Sequence, residues 1–255
     1  MLPNAACDVT DHLWLIAMSV MPGRVGSRFA LVGFLTVATV VVIRTRASSK
    51  MQVVSMPTPL GDVSTEVHNS EGKTTIVAVH GFNSALTGEW GVVAAHLASH
   101  GYRVLMPNLH SNPATKPGTI SHDGFERVML ALADRSTPLT LADGSTPLIW
   151  MGKSWGGANV ATFAARHPKA VAKLVLTAPA LGRSEIADVC AQLNAAGAPM
   201  LLLWAEDDPV VPFGNSKVWS STCSRVQLHS EPTGGHRILP GYATAVADFV
   251  KGARR

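Results

Sequence analysis

Cysteine is scarce in this sequence: the 255 residues include only Cys7, Cys190 and Cys223. No two of them have Cys-x-x-Cys spacing and none falls into a cysteine–histidine zinc pattern, which excludes a zinc module and a thioredoxin-type redox motif. Three scattered cysteines also exclude a disulfide framework, although the sequence leaves one bond between Cys190 and Cys223 open. We therefore expect cysteines that are mostly reduced and structural.

Charge is also sparse, at 15% of the residues against 47% hydrophobic ones, which excludes a disordered chain. The formal net charge of +4 is unevenly distributed. Residues 1–50 carry five basic and two acidic side chains, whereas the other 205 residues carry 16 basic and 15 acidic ones. Because this larger part is nearly balanced, it gives no support to nucleic-acid binding, and no nucleic-acid partner is expected.

The sequence lacks an uncharged apolar run as long as an ordinary transmembrane helix. The run Phe29–Ile43 has 15 residues and as a helix would span roughly 22 Å of a hydrocarbon core about 30 Å thick. Arg28 and Arg44 flank it and could snorkel to the interface. We therefore predict that residues 1–50 are a hydrophobic targeting or membrane-anchor segment, with membrane association through residues 29–43. The alternative is an N-terminal helix packed on the remaining domain, residues 51–255.

Predicted strands and helices alternate from Thr74 to the C-terminus, which is typical of an α/β fold with a mostly parallel central sheet flanked by helices on both faces. Gln52–Met56 and Val63–His68 are joined by a short turn, so they are predicted as an antiparallel pair at the sheet edge. Ligands of such sheets bind beyond the carboxyl ends of the strands. The later predicted strands are Thr74–Val79, Arg103–Met106, the apolar run before Gly152, Val171–Thr177, Met200–Trp204 and Arg225–Ser230. The predicted helices are Glu89–His100, Phe125–Leu132, Ala158–His167, Ile186–Ala195 and Tyr242–Val250.

The motif Gly152-Lys153-Ser154-Trp155-Gly156 closes one apolar run and opens a helical stretch of small residues. A sharp strand-to-helix turn of this kind strains the serine backbone and exposes the hydroxyl, as a nucleophile requires. The helix N-terminus that follows favours developing negative charge. The alternative is a structural connection in which Ser154 only caps the helix, since serine is a preferred N-cap residue.

A serine nucleophile needs a base, and the base needs an orienting acid. Asp207 and Asp208 follow the strand Met200–Trp204, and His236 follows the last strand. The chain order is therefore serine, aspartate, histidine, which is the order of the α/β-hydrolases.

At this point the sequence resembles the α/β-hydrolase fold superfamily over roughly residues 52–251. Each matching piece alone is loose, but all four in this order and at these spacings are specific. The matching pieces are His80-Gly81-Phe82, Gly152-Lys153-Ser154-Trp155-Gly156-Gly157, Asp208-Pro209-Val210-Val211-Pro212 and Gly235-His236.

The resemblance implies that Ser154 is the nucleophile, His236 the base and Asp208 the acid, leaving Asp207 as a turn residue. It also implies that the backbone amide of Phe82 forms the oxyanion hole with that of Trp155, the residue after the nucleophile. The chemistry requires no cofactor and no metal. We expect a serine hydrolase that cleaves a carboxylic ester through an acyl-enzyme. The alternatives are a thioesterase or amidase using the same triad, a non-catalytic binding or scaffold protein on the same fold, and a membrane-tethered interaction domain.

In many α/β-hydrolases a helical cap inserted between the sixth strand and the strand before the acid sets substrate choice. Here only residues 178–197 lie between those two strands. A cap this short predicts an open site that takes a small-molecule or externally presented acyl group. The identity of the substrate and the oligomeric state are not readable from the sequence.

Several other residues that could serve in a functional site are interpreted as structural or surface residues. His80 is expected to order its loop, and Lys153 is expected to be solvated. His96 and His100 are interpreted as two surface histidines rather than metal ligands. His110 and His122 flank the proline-rich loop, where they could border the pocket. Three tryptophans are expected in the core rather than as ligand platforms: Trp150, Trp204 and Trp219.

Overall fold

The computed structural model describes residues 51–84, 89–133 and 148–252. The predicted anchor segment and the domain boundary near residue 50 lie outside these ranges or at their edge, so both stay predictions. None of the described helices is long and apolar enough to cross a membrane.

Eight strands form one sheet in this part of the chain. They are β1 (Met51–Met56), β2 (Val63–His68), β3 (Thr74–Val79), β4 (Tyr102–Pro107), β5 (Leu148–Lys153), β6 (Val171–Thr177), β7 (Met200–Ala205) and β8 (Val226–Glu231). The strand order is β1-β2-β4-β3-β5-β6-β7-β8. β2 pairs antiparallel with both β1 and β4, and all other pairs are parallel. The predicted mostly parallel sheet with an antiparallel edge is confirmed.

Six α-helices of the described residues cover the sheet. They are α1 (Gly91–Ser99), α2 (His122–Ala133), α3 (Ser154–Arg166), α4 (Arg183–Ala196), α5 (Gly214–Thr222) and α6 (Tyr242–Lys251). Short 3-10 helices lie at Leu109–Ser111 and Pro168–Ala170.

The core consists of two apolar layers, one on each face of the sheet. Helices α2 to α5 cover one face, and α1 with α6 covers the other. In β3, Val77 points to the first layer and Ile76 to the second, because successive side chains of a strand alternate between faces. This two-sided burial explains the continuous apolar runs of the central strands. Trp150, Trp204 and Trp219 are fully buried, which confirms their expected place in the core.

Several helices begin earlier than the apolar periodicity predicted. α2 begins at His122 and α4 at Arg183, because their first turns are largely polar and exposed. The helix α5 was not predicted at all. Of its nine residues only Ser216 and Trp219 are buried, so it lacks an apolar stripe that a sequence pattern could reveal.

Cys190 in α4 and Cys223 directly after α5 form a disulfide across 33 residues. The bond that the sequence left open is therefore present, and the expectation of reduced cysteines is wrong for this pair. The two helices pack side by side, which brings the cysteines together. Closing a loop of this length restricts the unfolded chain and stabilises the fold by about 4 kcal/mol in the chain-entropy model.

Candidate active site

Ser154 occupies the sharp turn between β5 and α3, and its backbone lies in the left-handed region at φ 54°. Close packing of the turn explains the glycines around it. A Cβ on Gly152 would lie 2.6 Å from the carbonyl oxygen of Gly156, and one on Gly156 would collide with the carbonyl of His80. Helix α3 starts at Ser154, and the left-handed backbone of this residue is the strained turn conformation that the motif predicts.

Asp208 and His236 are held together beyond the ends of β7 and β8. His236 Nδ1 lies 2.7 Å from Asp208 Oδ2. Because a carboxylate accepts, Nδ1 is the donor, and in the neutral ring the lone pair then lies on Nε2. Asp208 Oδ1 accepts the backbone N–H groups of Val210 and Val211 at 2.8 and 2.9 Å. The carboxylate side chain is 1% exposed and the imidazole 14%, so three donors fix the buried acid while the base keeps access to solvent.

The neighbouring Asp207 has a different place. Its Oδ1 accepts the backbone N–H of Gly235 at 2.7 Å. The contact ties the turn after β7 to the loop that carries His236, and it agrees with the expected turn role of Asp207.

His80 orders the loop after β3, as expected. Its Nε2 accepts the N–H of Leu109 at 3.1 Å, so its Nδ1 carries the proton and donates to the carbonyl of Gly81 at 2.7 Å. Burial lowers the pKa of the His80 imidazole below its usual value, which keeps the ring neutral. The ring of His110 stacks on it with centroids 5.1 Å apart.

The predicted oxyanion residues Phe82 and Trp155 lie side by side. Their rings meet edge to face with centroids 6.5 Å apart, and Trp155 makes a second such contact with Phe125 at 5.7 Å. The Phe82 side chain is 46% exposed and also lies against Gly118 of the proline-rich loop. An aromatic wall therefore borders the turn that carries Ser154.

The expectation of a solvated Lys153 is wrong. Its side chain is buried, and its ammonium forms an ion pair with Glu89 Oε1. The other carboxylate oxygen of Glu89 accepts the N–H of Gly81 at 2.7 Å. Sequence reasoning missed Glu89 because the pairing spans 64 residues. One sequence feature could have indicated that Lys153 is buried: it closes the apolar run that forms β5, a strand whose residues are all buried.

The remaining histidines stand apart from this arrangement. His96 and His100 lie in and just after α1, with ring centroids 4.5 Å apart. His122 begins α2 and lines a groove between α3 and α4. Within residues 51–84, 89–133 and 148–252, no group of three or more histidine, cysteine, aspartate or glutamate side chains could hold a metal ion.

Comparisons with known proteins agree with this fold. A family model described as serine aminopeptidase, S33, matches residues 70–192. A predicted CIB-like hydrolase from Thermoplasma acidophilum superimposes with a TM-score of 0.66 at 19% identity, over 79% of this chain and 98% of the other. Est1E from Butyrivibrio proteoclasticus reaches 0.65 at 18% identity, over 78% and 97%. The naproxen esterase of Bacillus subtilis reaches 0.60 at 15% identity, over 79% and 90%. No protein of curated function matches the sequence.

The family match and the structural likeness together show that this chain has the α/β-hydrolase fold. The matching family model and the similar structures are those of hydrolases, and esterases are among the structures.

Proposed function

We propose that the chain hydrolyses carboxylic esters with Ser154 as nucleophile, His236 as general base and Asp208 as the acid that orients it. The observation that carries the proposal is the 2.7 Å contact between His236 Nδ1 and Asp208 Oδ2. In the neutral imidazole this contact places the lone pair on Nε2, where a base needs it, and it lets the buried carboxylate stabilise the imidazolium that forms during the reaction.

The steps follow from these roles. His236 Nε2 removes the proton of the Ser154 hydroxyl while Oγ attacks the ester carbonyl, and the carbonyl oxygen becomes an oxyanion. His236 then gives the proton to the leaving alkoxide, the ester C–O bond breaks, and an acyl-enzyme remains. Water loses a proton to His236 and attacks the acyl carbon, after which the proton returns to Ser154 Oγ as the carboxylic acid leaves.

The oxyanion would be held by the backbone N–H groups of Phe82 and Trp155. Trp155 lies in the first turn of α3, whose N-terminus carries partial positive charge and favours an anion. Preorganised donors of this kind are worth about 10²- to 10³-fold in kcat each.

The short cap supports small acyl groups as substrates. Between β6 and β7 the chain forms one helix, α4, and no further element. The side chains of Phe82 and Val210 are exposed on loops that carry proposed site residues. An open site with apolar borders suits short or externally presented acyl groups better than long chains that need an enclosed tunnel.

Amide cleavage is the second candidate, because the description of the matching family model is serine aminopeptidase, S33. The same triad would act on an amide, with His236 protonating the leaving amine. Ester and amide cleavage differ in the leaving group. The two activities are therefore distinguished by comparing rates on ester and amide substrates, because mutation of the triad would abolish both.

The test compares wild type with Ser154→Ala on p-nitrophenyl acetate, p-nitrophenyl decanoate and an aminoacyl p-nitroanilide. We expect wild type to turn over the acetate with a higher kcat/KM than the other two, and Ser154→Ala to lose at least about 10³-fold. A faster anilide reaction would favour the amidase. Equal rates for wild type and Ser154→Ala would contradict the proposal.

A further inference from the structure

A buried ion pair lies beside the nucleophile and has no role in the proton transfers above. The side chains of Lys153 and Glu89 are 9% and 11% exposed. Removing two charges from water carries a large desolvation cost, and replacing a buried pair by apolar residues is often neutral or stabilising. A gain in stability is therefore a poor explanation for this pair.

The pair connects two segments that the proposed chemistry requires in a fixed position relative to each other. Lys153 immediately precedes Ser154. Glu89 receives the Lys153 ammonium on Oε1 and the Gly81 N–H on Oε2, the latter at 2.7 Å. One carboxylate therefore joins the nucleophile turn to the loop after β3.

The position of Glu89 is itself fixed. The next residue, Trp90, is fully buried, and its indole N–H donates to the carbonyl of Val79 at 3.1 Å. Because Val79 is the last residue of β3, this bond holds the start of the helical segment against the strand end. The backbone that carries the Glu89 carboxylate is therefore held in place next to the loop.

The loop contacts determine where the Phe82 N–H points. Gly81 donates its N–H to Glu89, and its carbonyl accepts the proton of His80 Nδ1. The Gly81 carbonyl and the Phe82 N–H belong to one planar trans peptide unit, so they point in opposite directions. Fixing Gly81 on both sides therefore fixes the direction of the Phe82 N–H.

We propose that Glu89, held by Lys153, is a positioning residue that aims the Phe82 amide at the oxyanion. This inference rests on the proposed function, because it assigns the pair a role in the same site. Neither Glu89 nor Lys153 contacts the reacting atoms in this account. Their effect reaches the reaction through Gly81 and the peptide that follows it.

A different role for Lys153 has to be separated from this one. An ammonium next to the nucleophile could stabilise the oxyanion through its charge alone. The two roles differ in a neutral double variant, Lys153→Met with Glu89→Gln. The glutamine amide oxygen still accepts the Gly81 N–H, and no buried charge is left unpaired. Positioning predicts that the double variant recovers activity relative to Lys153→Met, whereas a charge role predicts no recovery.

The experiment measures kcat and KM on p-nitrophenyl acetate for wild type, Glu89→Ala, Lys153→Met and the double variant. The matched control is Glu126→Gln, which weakens the contacts of Glu126 in α2 with Arg166 at the end of α3 and with His167 directly after it. We expect Glu89→Ala to lower kcat about 10- to 100-fold with KM within about threefold, as for a misplaced oxyanion donor. The control should keep the wild-type kcat, and the double variant should exceed Lys153→Met.

A second readout does not depend on activity: amide hydrogen exchange of the peptide containing Gly81 and Phe82. Exchange there should rise about tenfold or more in Glu89→Ala and stay unchanged in Glu126→Gln. An unchanged kcat in an active enzyme, or unchanged exchange, would overturn the positioning role. If wild type has no hydrolase activity, the proposed function fails, and the exchange result alone decides whether Glu89 positions this loop.

Discussion

The carboxylate of Asp208 binds His236 and the backbone at once: Oδ2 lies 2.7 Å from the imidazole Nδ1, while Oδ1 accepts the amides of Val210 and Val211. The two residues are 28 positions apart and follow adjacent parallel strands, β7 and β8. Sheet topology therefore brings them together, and the backbone donors keep the carboxylate from rotating away from the imidazole.

The first prediction concerns this pair. Asp208→Asn should lower kcat on p-nitrophenyl acetate by about 10³- to 10⁴-fold with little change in KM, because an amide favours the wrong imidazole tautomer and cannot stabilise the imidazolium. Asp207→Asn is the matched control, since its amide oxygen can still accept the Gly235 N–H, and it should stay within about threefold of wild type. Comparable losses in both variants would mean that Asp208 acts only through the structure of the turn.

The second prediction concerns the strained backbone of Ser154. Left-handed φ costs a non-glycine residue about 1 kcal/mol, and glycine avoids this cost. Ser154→Gly should therefore have a higher free energy of unfolding than Ser154→Ala, by about 1 kcal/mol, and the proposed role of Ser154 predicts that both variants lack activity. Urea unfolding of the two variants measures the difference. A less stable Ser154→Gly would contradict strain at this position.

The sequence was sufficient for the parts of the fold that rest on local patterns. β3 is found at the predicted residues because its β-branched run is buried on both faces. The glycines around Ser154 identified the turn in the same way. α5 was missed because only two of its nine residues are buried and no apolar stripe marks it. The ion pair of Lys153 with Glu89 was missed, and the bond between Cys190 and Cys223 was left open, because both depend on which segments the topology places side by side.

The third prediction concerns pH and His80. Burial lowers the pKa of this imidazole, so the unfolded chain, with a pKa near 6.5, binds the proton more tightly than the folded protein. Well above pH 6.5 both states are neutral and His80 contributes nothing to the pH dependence. As the pH falls below that value the unfolded state gains the proton, and stability should fall with a slope of up to about 1.4 kcal/mol per pH unit.

Urea unfolding at pH 7.5 and 5.5 checks this prediction against His80→Gln, whose amide oxygen can accept the Leu109 N–H but does not titrate. The variant should lose less stability than wild type between the two pH values. His100→Gln, a change at an exposed histidine, is the control and should follow wild type. A pH dependence in His80→Gln equal to that of wild type would show that His80 is not the group involved.

The fourth prediction concerns the bond between Cys190 and Cys223. Replacing both by alanine should lower the free energy of unfolding by up to about 4 kcal/mol, because the unfolded chain regains the freedom of the closed loop. Dithiothreitol should lower the melting temperature of wild type and leave that of the double variant unchanged. A melting temperature of wild type that does not respond to the reductant would contradict a disulfide in the protein.

The central claim is that Ser154 is an activated nucleophile, and covalent labelling with a fluorophosphonate tests it most directly. The Oγ atom should attack phosphorus and expel fluoride, and mass spectrometry should then find one label per chain on the peptide that contains Ser154. Ser154→Ala should remain unlabelled, and Asp208→Asn should be labelled far more slowly than wild type. Folded wild type that takes up no label, or carries it equally in Ser154→Ala, would contradict the account.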